Sequence, residues 1–183
     1  MRLYRQTVED HGLYPGKELD SDAYGALKAD AGKMSAKMRA VRIVSMSSVS
    51  CRDLEERLVR RGEDASHARE AVQWMEDLSL MDDRATAEQV VRSCIGKGYG
   101  ISRARQALYE KKIPKRFWDE ALADYPDQSE KINAFLRSRL DSSSDQREVK
   151  RAIDALMRRG HSYSSIRREL DRLDLERDEF PEE

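Results

Sequence analysis

The sequence predicts an all-α fold in which three tandem three-helix repeats form an elongated, curved array behind a short N-terminal extension. Apolar residues recur at helical spacing along most of the chain, and a pair of cations recurs at an interval of roughly 50 residues. Charged residues make up 38% of the 183 residues. Such a charged fraction disfavours one large core and favours an array in which each unit buries a single stripe.

The repeat becomes visible when the middle of the chain is compared with its two neighbours. A shift of 50 residues places Leu108 on Leu58, and a shift of 48 in the other direction places it on Leu156. A period of this length accommodates about three short helices with their turns. The recurring cation pairs are Arg60-Arg61, Lys111-Lys112 and Arg158-Arg159.

Turn and cap residues divide the chain. In the extension we expect a short hairpin, and then a helix that is capped by Asp20 or Ser21 and ended by Gly32. The predicted segments are the extension (1–33), repeat 1 (34–81), repeat 2 (82–126), repeat 3 (127–175) and an acidic tail (176–183).

Each repeat carries recognisable start and stop residues. In repeat 1 the helix with Leu54 and Leu58 stops at Gly62, which suits a left-handed C-terminal cap. In repeat 2 an Asp82 or Asp83 cap starts the first helix. In repeat 3 the spacing of Asp145 and Glu148 predicts a capping box, and Gly160 ends that helix.

No catalytic or metal-binding constellation stands out, so we predict a protein without enzymatic activity or cofactor. Cys51 and Cys94 lack a CxxC spacing, and the three histidines are scattered. The glycine-rich run 96–100 predicts a helix–helix turn, because a phosphate-binding loop requires a preceding strand. No apolar run is long enough for a membrane span, and no secretory signal is visible, so we expect a cytoplasmic monomer.

Positive charge is concentrated in the middle of the chain. Residues 84–118 contain nine Lys and Arg against two Glu, a net charge of +7, whereas the whole chain has −1. The paired cations can be explained as helix C-terminal caps, each worth about 0.3–1 kcal/mol. They can also form a row that meets phosphates or an acidic protein surface. The candidate binding residues are Arg60, Arg61, Arg92, Lys97, Arg103, Arg105, Lys111, Lys112, Lys115, Arg116, Arg158 and Arg159.

An ordered set of residues extends across about 13–170 of the chain. Its members are Gly16-Lys17-Glu18-Leu19, Ser50, Leu54, Leu58, Arg61-Gly62, Leu80-Met81-Asp82-Asp83, Ala87, Val91, Gly98-Tyr99-Gly100, Leu108 and Lys111-Lys112-Ile113. This set resembles the regulatory protein RecX family, whose members modulate the RecA recombinase. Lys112 stands where the family usually has Gly, and Cys94 where Arg is common; repeat 3 carries a serine-rich insertion.

The resemblance implies a partner and an activity. RecX-like proteins bind RecA and its filament on single-stranded DNA, and they restrain the recombinase and its ATP hydrolysis in recombination, DNA repair and the SOS response. Two alternatives remain open at this point. One is a helical protein that binds nucleic acid directly, without RecA, and the other is a generic scaffold, which the scarcity of aromatic residues disfavours. Weak direct DNA binding is compatible with the RecX-like function as well.

Overall fold

The computed structural model describes residues 3–141 and 144–179, with side chains as far as residue 173. These residues contain helices and no strand, which confirms the all-α prediction. The chain divides into two compact units, Met1–Thr86 and Ala87–Glu183. The three-repeat division and its boundaries stay predictions.

The first unit is built around one long helix that crosses two shorter ones. The helices are α1 (Arg5–Asp10), α2 (Ser21–Met46), α3 (Cys51–Arg60) and α4 (Ala65–Asp77). Small buried side chains such as Ala36 and Ala40 let α2 approach α4 closely, and the core is completed by Leu54, Leu58 and Met75.

The hairpin expected in the extension is wrong: residues 5–10 form a helix. Arg5 pairs with Glu9 at 2.8 Å, and the Gln6 amide donates to Asp10 at 2.8 Å, so both contacts have the i,i+4 spacing of helix neighbours. The helix ends at Asp10, and Gly12 in the turn after it has a φ of +54°. These local side-chain pairs favour a helix over the predicted hairpin.

Gly32 does not end a helix, as the sequence suggested; α2 continues through it to Met46. The predicted cap is confirmed, since the Asp20 carboxylate accepts from the Ala23 N–H at 2.7 Å. A Cβ at position 32 would lie 2.6 Å from Cε1 of His67 on α4. Gly32 thus permits the close crossing of α2 and α4.

The adjacent carboxylates Asp82 and Asp83 cap two different helices. Asp82 accepts from the N–H groups of Arg84 and Ala85 at 2.8 and 3.1 Å, at the start of α5 (Asp83–Gly96). Asp83 is buried and accepts from the Cys51 N–H at 2.9 Å, at the start of α3. Asp83 therefore ties the start of α5 to α3 within the first unit.

The second unit contains two apolar clusters. One is centred on Val91, Ala104 and Leu108, and the other on Leu136 and Leu156. The capping box predicted for Asp145 and Glu148 is present. After α5, the helices are α6 (Ile101–Glu110), a 3₁₀ turn (Lys115–Phe117), α7 (Trp118–Leu122), α8 (Ser129–Arg137), α9 (Gln146–Arg158) and α10 (Tyr163–Glu179). The last residues of the predicted acidic tail, 180–183, lie outside the described residues.

Two glycine turns of the second unit meet backbone to backbone. The Gly100 N–H donates to the Arg159 carbonyl at 2.9 Å, and a Cβ at position 100 would overlap the Gly160 carbonyl group. The buried His161 ring donates from Nε2 to the Gly98 carbonyl at 3.0 Å, because a carbonyl oxygen only accepts. These contacts, here called the glycine clasp, join the start of α6 to the turn after α9.

We expect Gly100→Ala to destabilise the second unit by about 1–3 kcal/mol or more, since the overlap is with backbone that cannot move aside cheaply. Gly96→Ala is the matched control. No atom lies within 4 Å of a Cβ at position 96, in the last turn of α5, so this change should be neutral or stabilise by up to about 1 kcal/mol. Urea unfolding followed by circular dichroism measures both, and equal midpoints would contradict the clasp.

We expect the second unit to lose stability as the pH falls below about 6.5. Burial lowers the pKa of His161, the bond to Gly98 opposes this shift, and the charge of Arg159 adds to it. The unfolded chain therefore binds more protons over this range. His161→Gln keeps an N–H donor without titrating, so its stability should change less between pH 7 and 5.5. An unchanged pH slope of the free energy of unfolding would contradict this.

Candidate partner-binding surface

The same turn follows α3, α6 and α9, where the three cation pairs stand. In each turn a backbone N–H bonds to the carbonyl five residues earlier, the pattern of a Schellman motif. The left-handed residue is Gly62 in the first turn (φ +88°), Lys112 in the second (φ +56°) and Gly160 in the third (φ +86°). The bonds join Glu63 to Leu58 (3.1 Å), Ile113 to Leu108 (3.1 Å) and His161 to Leu156 (3.2 Å).

The cation pairs lie where the last carbonyl groups of each helix carry partial negative charge. Arg60 and Arg158 are the last residues of α3 and α9, and Lys111 is the C-terminal cap of α6. These three side chains are exposed, as are Arg61 and Arg159, whereas Lys112 is half-buried. Cations at the C-terminal end of a helix stabilise it. The exposed side chains are also accessible to a partner.

Local acidic residues already engage some of the other candidates. Arg92 pairs with Glu88 at 3.4 Å, and Arg103 pairs with Glu110 at 2.9 Å. The Glu110 carboxylate raises the pKa of Arg103, and the same pair lowers the pKa of Glu110. These two pairs are already counted in the net charge of +7 for residues 84–118, which leaves seven cations outside them.

The remaining candidates of the middle segment are exposed. Arg105 lies on α6, Lys97 lies in the turn before it, and Lys115 and Arg116 lie on the 3₁₀ turn. The guanidinium of Arg116 sits 4.7 Å from the ring centroid of Phe117. The glycine clasp brings the pair Arg158-Arg159 to this part of the unit, because the Arg159 carbonyl accepts from the Gly100 N–H at the start of α6.

An arginine-rich cleft between α8 and α9 was not predicted from the sequence, although two of its arginines, Arg158 and Arg159, were candidate binding residues. The cleft has a volume of about 530 Å³. Arg159 and Arg139 sit 4.5 and 5.6 Å from the ring centroid of Phe135 at its wall. The residues that line this arginine cleft are Phe135, Arg139, Glu148, Arg151, Ala152, Ala155, Arg158 and Arg159.

The two cysteine thiols, Cys51 and Cys94, are not activated. Burial raises the pKa of both cysteine thiols, so they stay protonated near neutral pH. Among residues 3–141 and 144–173, no three His, Cys, Asp or Glu side chains gather in a way that would hold a metal ion. Within the described part of the chain, no helix is both long and apolar enough to span a membrane.

The described residues thus form an all-α protein whose helices α3, α6 and α9 end in recurrent turns that carry exposed basic side chains. A family model described as "RecX, second three-helix domain" matches residues 82–122. A regulatory protein RecX of Chlorobaculum tepidum is 31% identical over 143 residues, which cover 75% of this chain and 88% of that protein. One of Xanthomonas axonopodis is 31% identical over 141 residues, covering 75% and 86%.

Solved structures agree on the fold. A crystal structure of regulatory protein RecX superposes with a TM-score of 0.72 at 21% identity, covering 92% of this chain and 86% of that one. RecX from Lactobacillus salivarius superposes with a TM-score of 0.69 at 24% identity, covering 80% and 99%. Because the two relatives above are each 31% identical over 75% of this chain, the chain belongs to the RecX family.

We expect Lys112→Gly to stabilise the protein by up to about 1 kcal/mol. A left-handed conformation costs a side-chain-bearing residue about 1–2 kcal/mol, and the greater freedom of glycine in the unfolded chain offsets part of the gain. Lys111→Gly, at an ordinary φ of −80°, is the control and should destabilise. Thermal unfolding of both variants measures the effect. A lower unfolding midpoint for Lys112→Gly than for the parent protein would contradict the backbone strain at Lys112.

Proposed function

We propose that this protein binds the RecA recombinase and its filament on single-stranded DNA, and that it restrains recombination and ATP hydrolysis in the cytoplasm. The observation that carries the proposal is membership of the RecX family, through relatives named regulatory protein RecX. The restraint would modulate recombination and DNA repair.

The exposed basic side chains support a mechanism based on many weak contacts. A filament repeats the same surface along its length, and a protein with recurring cation-bearing turns can engage several protomers together. Linked contacts of this kind raise the overall affinity without any single strong contact. Basic side chains would also speed the encounter with an acidic or phosphate-bearing surface. Lying along the filament groove, the protein would hinder strand exchange and filament growth.

The direct test is RecA-dependent ATP hydrolysis on single-stranded DNA with increasing amounts of the purified protein. Inhibition at sub-stoichiometric amounts is expected, because one bound copy affects many protomers. Co-sedimentation with RecA, with and without single-stranded DNA, should place the protein with the filament. Full RecA activity at equimolar addition would refute the proposal and favour direct nucleic-acid binding without RecA.

A neutralising set on the middle segment tests which cations make the contact. Arg105→Gln, Lys115→Gln and Arg116→Gln remove three exposed positive charges. We expect this triple variant to keep its helicity and to require at least tenfold more protein for half-inhibition of RecA ATP hydrolysis. The difference should shrink at high salt, where the wild-type attraction is screened over about 8–10 Å.

The matched control removes three exposed charges outside both the middle segment and the arginine cleft: Arg147→Gln, Lys150→Gln and Arg168→Gln. It should inhibit RecA nearly as well as the parent protein. Equal weakening by the two triple variants would mean that total charge governs binding and that the middle segment has no special role.

A further inference from the structure

We propose that the acidic tail (176–183) of this chain binds in the chain's own arginine cleft and shields the cleft from other anions. The inference goes beyond the proposed function, because it assigns an internal regulatory contact that involves no second protein. It rests on the opposite charges of the cleft and the tail, on the way the arginines are held, and on the distance that the tail has to cover.

The cleft is positive and is open to an anion. Four arginines and one glutamate line it, a net charge of +3. The carboxylate of Glu148 is already engaged, since it accepts from the Asp145 N–H at 3.1 Å in the capping box. Among residues 3–141 and 144–173, none of the four arginines forms an ion pair with a carboxylate. The four, all exposed, are Arg139, Arg151, Arg158 and Arg159.

The arginines are oriented by their surroundings. Arg139 and Arg159 lie against the ring of Phe135, and a guanidinium over an aromatic ring is attracted to its face. Arg151 and Arg158 are seven residues apart on α9, about two turns, so they project from the same side of the helix. Planar guanidinium groups held in this way suit two-point hydrogen bonding to carboxylates.

The acidic tail carries the complementary charge. It contains five carboxylates and one arginine, Arg177, a net charge of −4 against the +3 of the cleft. Phe180 adds an aromatic ring, to which a guanidinium is also attracted. The carboxylates are those of Glu176, Asp178, Glu179, Glu182 and Glu183.

Helix α10, which leads into the tail, packs along α8. Hydrogen bonds within its own turn lower the pKa of Asp127, and the positive charge of Arg168 adds to this shift, so Arg168 lies near the start of α8. Later on α10, Leu173 is buried in the same apolar cluster as Leu140, the residue after Arg139. These placements indicate that α10 runs along α8 toward the Arg139 side of the cleft.

The distance from α10 to the cleft suits the length of the tail. The helix continues from Leu173 to Glu179, and this part spans about 9 Å at 1.5 Å per residue. The four residues that follow can span up to about 13 Å when they are extended. Carboxylates of the tail can therefore reach the wall of the cleft at Arg139.

Attachment to the same chain favours the tail over a free anion. A short flexible connection gives an effective concentration in the millimolar range, so even a weak contact is populated within the molecule. An anion from outside then binds only the fraction of molecules in which the cleft is open, which lowers its apparent affinity.

Zero-length cross-linking of the full chain tests the contact directly. Arg151→Lys places an amine in the cleft, and a carbodiimide joins an amine to a carboxylate only where the two groups touch. Peptide mapping of the monomer should find position 151 linked to a carboxylate of the tail. The native Lys150 is the control, because it is exposed on the same helix and does not line the cleft. It should give few such links or none.

Calorimetric titration with tripolyphosphate tests the shielding. The tail variant Glu179→Gln/Glu182→Gln/Glu183→Gln should bind this anion at least about fivefold more tightly than the parent, because the competing carboxylates are removed. Adding the same changes to the cleft variant Arg151→Gln/Arg158→Gln should bring no further gain, since contacting residues do not act additively.

The matched control removes three exposed negative charges from the same unit, none of them lining the cleft: Asp119→Asn, Asp124→Asn and Glu130→Gln. It should change the Kd for tripolyphosphate by less than about twofold, since distant exposed charges are screened by salt. Circular dichroism should show that all variants keep the helicity of the parent.

Several results would overturn the inference. They are equal cross-linking of Lys150 and position 151, equal gains in affinity by the tail and control variants, and no tripolyphosphate binding by the tail variant. Links between isotope-labelled and unlabelled chains in a mixture would overturn it as well, because they would mean that a second copy supplies the tail. RecA is absent from both assays, so these results and the test of RecA inhibition stay independent.

Discussion

The placement of the cation pairs depends on the left-handed turn that follows α3, α6 and α9. A helix ends only if its last carbonyl groups find donors, and in these turns the backbone itself supplies them. The turn reverses the chain within a few residues and leaves the two preceding cations at the end of the helix. Glycine provides this geometry at Gly62 and Gly160, whereas Lys112 adopts it with a side chain. Conformational strain and positive charge therefore coincide at Lys112.

The turn after α9 has a second role, because its backbone contacts the start of α6. Gly100 and Gly160 lack side chains at the point where the two segments meet, and no larger residue would fit there. The glycine clasp thereby connects the two apolar clusters of the second unit through main-chain atoms. It also fixes the backbone of Arg159, so that a stabilising contact helps to position a wall of the arginine cleft.

Much of the fold follows from local signals in the sequence. The cap at Gly62, the turn at residues 96–100, a cap at Asp82 or Asp83 and the Asp145–Glu148 capping box were predicted, because each acts within a few residues of its own position. Features that depend on distant residues were not predictable in this way. The role of Gly32 is set by His67 on another helix, and Asp83 caps a helix that begins 32 residues earlier. The helix at Arg5–Asp10 was missed for a different reason, since its stabilising pairs are side-chain contacts that hydrophobic periodicity does not register.

The candidate surface reveals the limit of summed charge as a guide to binding. Residues 84–118 have a large positive sum, in which Glu88 and Glu110 already offset Arg92 and Arg103. Residues 119–170 balance ten basic against ten acidic residues, so they appeared neutral. Folding separates these charges: Arg139 approaches Arg159 around Phe135, and Glu148 is used at the start of α9. A phosphate responds to the charges within a few ångströms of it, because those farther away are screened by salt. In a chain as highly charged as this one, a binding site is therefore indicated less by net charge than by arginines that packing holds together and away from carboxylates.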